Sequence, residues 1–287
     1  MNQLTILVTG AAGFIGQHVV RHLAGLGHQV TALDFRPPAN PFPEEVRFHH
    51  CDIRTGEFPD QDFDAVIHLA ALAGVRPSID RPLDYEATNL TGTIRLLEFC
   101  RHRGVRQFVF ASSSSIYGDN HGQPSAESDP ANPLSPYALT KIQGEQWGGL
   151  YSRLHGIRFV ALRLFTVWGE GQRRDLALAA FTNALLRGEP VWVNGDGHQR
   201  RDLTHVSDVA RAVVLAVGYQ GADFAAFNIG TGRNHSVLEM VKQAERFTGR
   251  TASIEHRPAN PSDVPKTLSN PEKSAACLGW RAEVPFP

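Results

Sequence analysis

Tyr137 and Lys141 stand four residues apart in the run Ser135-Pro136-Tyr137-Ala138-Leu139-Thr140-Lys141. On a helix that spacing puts the phenol and the ammonium on one face, one turn apart. A tyrosine ionises near pH ~10 in water, and a cation held beside it favours the phenolate. Such a pair can take a proton from a substrate hydroxyl at neutral pH, with Tyr137 as the acid/base and Lys141 as its partner. Upstream lies Ala111-Ser112-Ser113-Ser114-Ser115-Ile116-Tyr117-Gly118, whose hydroxyls can donate to and accept from the same substrate group. Alone, the Tyr-x-x-x-Lys spacing also describes an ordinary exposed helix face. The serine run before it and the glycines near the N-terminus give it a chemical meaning.

Those glycines are Gly10-Ala11-Ala12-Gly13-Phe14-Ile15-Gly16, set between an apolar β-branched run and a helical period. Glycines so placed let the backbone turn tightly and approach a pyrophosphate, whose charge is then met by amides and by the positive end of the helix. Gly10, Gly13, Phe14, Ile15 and Gly16 are therefore cofactor candidates. Asp34 falls where a carboxylate binds adenosine ribose hydroxyls and repels a 2′-phosphate, which favours NAD. Arg36 two residues on is able to pair with that phosphate, so NADP stays open. Asp52 and Ile53 follow the third strand and either hold the adenine amino group or form a turn.

These groups need a frame that brings strand ends together. Strands are expected at Leu4 to Thr9, Gln29 to Leu33, Val46 to His50, Ala65 to Leu69, Gln107 to Ala111, Arg158 to Leu164 and Ala226 to Ile229. Helical periods run over Phe14 to Leu26, Tyr85 to Arg101, Pro136 to Leu154 and Leu176 to Arg187. Their alternation predicts an α/β fold, a Rossmann-type doubly wound parallel sheet with helices on both faces. Beyond about Thr166 the rhythm is less regular. We expect a cofactor domain over residues 1–165, rejoined by a strand near 225–230, and a smaller interleaved substrate domain over most of 166–287.

Taken together, the motifs resemble the extended short-chain dehydrogenases, and among them the nucleotide-sugar epimerases and dehydratases. The resemblance runs from Thr9-Gly10 through His68-Leu69-Ala70-Ala71, Asn89-Leu90-Thr91-Gly92-Thr93, the serine run, Ser135-Pro136-Tyr137 and Gly195-Asp196-Gly197 to Asp263-Val264-Pro265. It implies that Ser113 hydrogen-bonds the reacting sugar hydroxyl, that Lys141 also anchors the nicotinamide ribose, and that Leu69, Ala70 and Ala71 border the cofactor. The dehydratases of this family carry an Asp-Glu pair after the catalytic serine or threonine. Here Ser114 and Ser115 occupy those places, and hydroxyls at ordinary pKa cannot replace two carboxyl groups in removing water. The resemblance therefore implies NAD-dependent C4 epimerisation through a transient 4-keto sugar, without a metal. A ketoreductase or decarboxylase with the same triad, or a non-catalytic NAD(P) sensor, are the alternatives.

On the substrate side the resemblance assigns the diphosphate to Arg201 and the nucleotide ribose to Asp263, makes Arg173 a candidate for a sugar carboxylate, and counts Ser114, Thr166 and Arg76 among the substrate contacts. Thr166 stands where the family usually has asparagine in Arg163-Leu164-Phe165-Thr166-Val167-Trp168-Gly169. With Arg173 and Ala73-Gly74-Val75-Arg76-Pro77-Ser78 it is similar to UDP-glucuronate 4-epimerases, while a neutral hexose remains equally open. The family also implies a homodimer, through helices near Thr91 and Gln143. It usually continues beyond Gly279-Trp280 into a terminal helix, where this sequence ends at Pro287.

With 28 Lys+Arg against 29 Asp+Glu over 287 residues, the net charge of -1 gives no electrostatic reason to expect nucleic acid or an anionic membrane. Cys51, Cys100 and Cys277 are too scattered for a disulfide framework or a paired metal site, which suits a reducing cytoplasm. Neither a signal peptide nor a membrane span is expected.

Overall fold

The computed structural model describes residues 3–259 and 263–287. Its first half alternates as expected: β1 (Thr5–Thr9), α1 (Phe14–Gly25), β2 (Gln29–Asp34), β3 (Arg47–His50) and β4 (Ala65–His68). Two short helices, α2 (Val75–Asp80) and α3 (Pro82–Tyr85), lead through a π-helical turn at Glu86–Thr91 into α4 (Gly92–Arg103). The helix expected from Tyr85 to Arg101 is present, running without a break from Pro82 to Arg103 with a π-helical stretch inside it, a form that often occurs at functional positions. β5 (Gln107–Ser113), α5 (Pro136–His155) and β6 (Arg158–Leu164) follow.

The later half contains β7 (Thr166–Trp168), α6 (Ala177–Arg187), β8 (Val191–Asn194), β9 (Arg200–His205), α7 (Val206–Val217), β10 (Phe224–Ile229), β11 (Asn234–Ser236), α8 (Val237–Thr248), β12 (Ile254–Arg257) and α9 (Glu272–Leu278). Seven strands pair in the order β10-β6-β5-β4-β1-β2-β3. Every pair is parallel. This is the doubly wound sheet read from the sequence, with its order reversing beside β1, where a crevice must open at the carboxyl ends. The remaining strands form a three-stranded sheet, β11-β9-β7, and a two-stranded one, β12-β8.

Apolar alternation explains the layers. Val19, Val20 and Leu23 of α1 and Val209 and Val213 of α7 pack on one sheet face with Ile6, Val8 and Phe227. Leu96 and Leu97 of α4 and Tyr151 of α5 cover the other with Leu7, Phe108 and Phe159. A smaller core joins α6, α8 and β8 through Phe181, Leu185, Val191, Val193, Met240 and Val241.

α5 carries the Tyr137 to Lys141 turn, so its placement matters most. Ser135 caps it by accepting from the Ala138 amide at 3.2 Å, and Pro136 suits the first turn, whose amide has no helical partner. Gly156, in the left-handed conformation, ends it. Along its length a Cβ at Gly148 would meet the Phe159 ring at 2.3 Å. The missing side chain lets the helix lie close against β6 and brings its first turn to the sheet's carboxyl edge.

Candidate active site

β1 ends against the loop after β4. Gly10 turns with φ +70°, and a Cβ there would lie 2.5 Å from the Ala70 nitrogen. One at Gly16 would lie 2.1 Å from the Gly10 oxygen, so the first turn of α1 reaches β1 only with glycine at both places. Gly13 is the N-cap of α1 and has no side-chain cap. The next three amides, of Phe14, Ile15 and Gly16, have no partner within the helix, and these residues line the cleft. The result is a glycine cradle with unpaired amides at a helix N-terminus, which fits an anionic pyrophosphate.

Asp34, at the end of β2, is buried and accepts from the Ala12 amide at 3.0 Å and the Arg36 amide at 3.1 Å. It braces the glycine loop. Arg36 lines the cleft beside it, with its guanidinium 5.0 Å from the centre of the Phe35 ring. Asp52 takes the contacts of a turn residue. Its carboxylate holds the Arg54 side chain at 2.6 Å and the Arg54 amide at 2.9 Å, and Arg54 keeps its pKa below the usual carboxylate range. Ile53 is buried in the core, and the close packing of Gly92 on it leaves no room for a Cβ there.

A cleft of about 650 Å³ runs from this cradle along the sheet's carboxyl edge. Ser113, Ser114, Tyr137, Lys141, Thr166, Arg173, Arg201 and Asp263 line it together with Gly10, Gly13, Phe14, Ile15, Gly16, Leu69 and Ala71. Residues from both halves of the chain therefore meet in one site. Lys141 is 4% exposed and donates to the Ala111 carbonyl at 2.7 Å, with its nitrogen 5.8 Å from the centre of the Tyr137 ring. Burial brings its pKa down to about 7, with Glu145 opposing. Burial also raises the Tyr137 phenol, against the pull of the Ser113 hydroxyl and the Arg173 cation. The lowered phenol pKa expected from Lys141 aided by an oxidised nicotinamide is not reached with the protein groups by themselves, where enclosure outweighs Ser113 and Arg173. The Ser113 hydroxyl accepts from the Ser115 hydroxyl at 2.9 Å and from its amide at 3.2 Å.

Positive charge gathers at the other end. Arg201 on β9 is half-buried and donates to the Arg200 carbonyl at 2.9 Å. Burial lowers its pKa, partly offset by Asp263. Arg76, on α2, forms an ion pair with Asp263. Arg173 is held by both oxygens of Asp175, at 3.0 and 2.6 Å. Guanidinium groups at a cleft end are suited to bind phosphate or carboxylate oxygens in pairs.

The profile of the NAD dependent epimerase/dehydratase family matches residues 6–230. The chain belongs to this family. Among curated relatives, a UDP-glucuronate 4-epimerase of Thermodesulfobacterium geofontis is 33% identical over 97% of this chain and 91% of its own. A UDP-glucose 4-epimerase of Halalkalibacterium halodurans is 32% identical over 98% and 92%. Among solved structures, MoeE5 in complex with UDP-glucuronic acid and NAD superposes with a TM-score of 0.92 at 39% identity, covering 98% of this chain and 94% of that one. A UDP-glucuronic acid 4-epimerase from Bacillus cereus, with the same two ligands, gives 0.90 at 32%, covering 98% and 95%. The cofactor of the family is NAD, as the glycine motif and Asp34 led us to expect.

This member of the epimerase/dehydratase family also depends on residues to which the sequence reading assigned no role. Glu145, one turn beyond Lys141, is 7% exposed. It accepts from the Ser112 hydroxyl and from two nitrogens of Arg163, at 3.1 and 2.8 Å. Arg163 in turn donates to the Tyr117 hydroxyl at 2.9 Å, and Tyr117 to Asn228 at 2.6 Å. This buried net ties α5, β5, β6 and β10 together directly under the catalytic candidates. Its one signal in the sequence is a charge inside an apolar strand, Arg163 in Arg158–Leu164. Asp202 is a second buried charge, though in β9 it follows two arginines and no apolar run marks it out. It is fully buried and accepts from Thr231, Gly232 and Ser269 at 2.7 to 3.0 Å.

Proposed function

We propose that this protein is an NAD-dependent epimerase that inverts C4 of a UDP-hexose or UDP-hexuronate. The observation that carries this reading is the meeting of Ser113, Tyr137 and Lys141 with the glycine cradle and a basic end in one cleft. When bound, NAD would supply a reversible hydride acceptor for the sugar's C4, so the reaction has no net redox change. Tyr137 takes the C4 hydroxyl proton and later returns it to the same oxygen, after the 4-keto sugar has turned so that the hydride comes back to its other face. Ser113 orients that hydroxyl. Burial keeps the phenol protonated, so the cations around it, Lys141, Arg173 and the oxidised nicotinamide, must together supply the potential that lets it act as a base.

Lys141 hydrogen-bonds the nicotinamide ribose in this reading, and Asp34 meets the adenosine ribose while bracing the loop. Arg201 and Arg76 take the diphosphate and Asp263 the uridine ribose. Ser114, Thr166 and Arg173 surround the sugar. A hexuronate would draw Arg173 from Asp175 to its carboxylate, whereas a neutral hexose would leave that pair in place. No described helix is long and apolar enough to cross a membrane. We take the enzyme to be a cytoplasmic homodimer, packed through the faces of α4 and α5 near Thr91 and Gln143, which light scattering on the eluting peak would check.

The deciding experiment is simple. The purified protein is denatured to release and identify any nicotinamide, and the native protein is incubated with UDP-glucose and UDP-glucuronate without added cofactor. The C4 epimer of one of them, formed with no change in absorbance at the reduced-nicotinamide band over the whole conversion, is the expected result. NADPH-dependent consumption of a keto-sugar, with no epimer from any UDP-sugar, would overturn the reading.

A further inference from the structure

His68 ends β4, is 1% exposed, and has both ring nitrogens engaged. Nδ1 lies 2.7 Å from the Thr9 hydroxyl and Nε2 lies 2.9 Å from the Thr93 hydroxyl. Thr93 decides which nitrogen carries hydrogen. Its hydroxyl is 2.5 Å from the Asn89 carbonyl oxygen, which can only accept. The one Thr93 hydrogen is therefore committed to Asn89, and Nε2 must be the ring donor. Nδ1 is then bare and accepts from Thr9. The Thr9 oxygen keeps a lone pair toward the Ala70 amide at 3.4 Å. A single order of protons runs from the Ala70 amide to the Asn89 carbonyl, with no group able to reverse alone.

A second hydrogen on Nδ1 would break that order, since the Thr9 hydroxyl would then face a donor. It would also place a buried cation near Lys141, the charged group that bears on the ring from α5. Burial, and after it Lys141, hold the imidazole down to about 3. The ends of the chain show what it holds. The Ala70 backbone is packed on Gly10, and the Leu69 amide donates to the Thr9 carbonyl at 3.1 Å. The Asn89 side chain grips Leu72 by both amide and carbonyl, at 2.8 and 3.0 Å. The two sequence motifs that contain His68 and Asn89, residues to which the reaction itself gives no role, meet through this ring.

We propose that His68 is a positioning residue for the cofactor, a permanently neutral ring with its hydrogen on Nε2 that fixes the Leu69 to Leu72 backbone against the glycine loop. The proposal rests on the reading that this cleft holds NAD. Protein labelled with ¹⁵N in its histidine rings tests the first part. The His68 resonances are recognised by their loss in His68→Gln and their shift in Thr93→Val. The expected spectrum is a neutral Nε2-protonated ring, unchanged between about pH 5 and 8. Calorimetry on cofactor-stripped Thr93→Val tests the second part. The dissociation constant for NAD should rise about tenfold, while that for UDP stays within about twofold of wild type. A ring that titrates in this range, an Nδ1-protonated ring, or an unchanged NAD affinity in Thr93→Val would each overturn the proposal. Failure of the wild-type protein to bind NAD would instead overturn the cofactor reading, with the ring spectrum still judged on its own.

Discussion

Lys141 is where burial and chemistry pull in opposite directions. The enclosure that brings it beside Tyr137 also brings its pKa down to about 7 from 10.5. Between those values the unfolded chain binds a proton that the folded chain does not, so stability rises with pH across that window. Below about pH 7 the folded protein carries the buried charge and its full cost. Cofactor-free protein should therefore melt higher at pH 9 than at pH 7, with a slope from this group approaching about 1.4 kcal/mol per pH unit. Lys141→Met should lose that part of the dependence in parallel melting curves. Tyr137→Phe is the complementary change, since it removes the proton carrier and little else. Turnover should fall by about a thousandfold, with NAD and UDP affinities within about twofold in titration. Tyr137, Lys141 and the glycines were readable because their types and spacing imply a job. Glu145 and His68 were not, since their partners come from strands and helices far away in the chain and only the fold supplies them.

Elements were legible where one signal dominates. The β-branched runs and the 3.6-residue periods gave β1 to β6, α1 and α5 to within two residues, but not the short α2 and α3. In the later half the sequence reading missed α7 and α8, although α8 opens with a capping box. Ser236 accepts from the Glu239 amide, and the Glu239 carboxylate accepts from the Ser236 amide at 2.7 Å. The π-helical turn that places Asn89 inward could not be foreseen, because an extra residue in one turn leaves the local sequence helical in character. The start of α1 gives a graded test of how tightly an element is set. A Cβ at Gly16 would sit 2.1 Å from the Gly10 oxygen and 2.8 Å from the Ala11 Cα, both backbone atoms, whereas one at Gly13 would sit 3.1 Å from the Gly10 oxygen. Gly16→Ala should weaken NAD binding by more than about tenfold and destabilise the fold by about 2–4 kcal/mol. Gly13→Ala should shift both by far less. Calorimetry and chemical denaturation on the two variants side by side would show whether the helix end is as rigid as these distances require.

On the scale of the whole molecule, the cleft has two walls that are held independently. The sheet edge and α1 hold the cofactor wall through the glycine loop, whereas β9 carries Arg201 on the opposite wall. What fixes β9 is Asp202, adjacent to Arg201 and facing away from the cleft into a cage of donors. Both its oxygens are occupied, one by the Thr231 amide and hydroxyl, the other by the Gly232 amide and the Ser269 amide and hydroxyl. Replacing one oxygen with an amide nitrogen sets donor against donor at that side. Asp202→Asn should then destabilise the protein by about 2–4 kcal/mol and loosen β9 without touching the glycine loop. If the walls are separate in energy as well as in position, KM for the UDP-sugar should rise about tenfold while the NAD dissociation constant stays within about twofold. Equal weakening of both ligands would mean instead that the two walls form one cooperative unit, and that the sugar-nucleotide end cannot be altered without cost to the cofactor end.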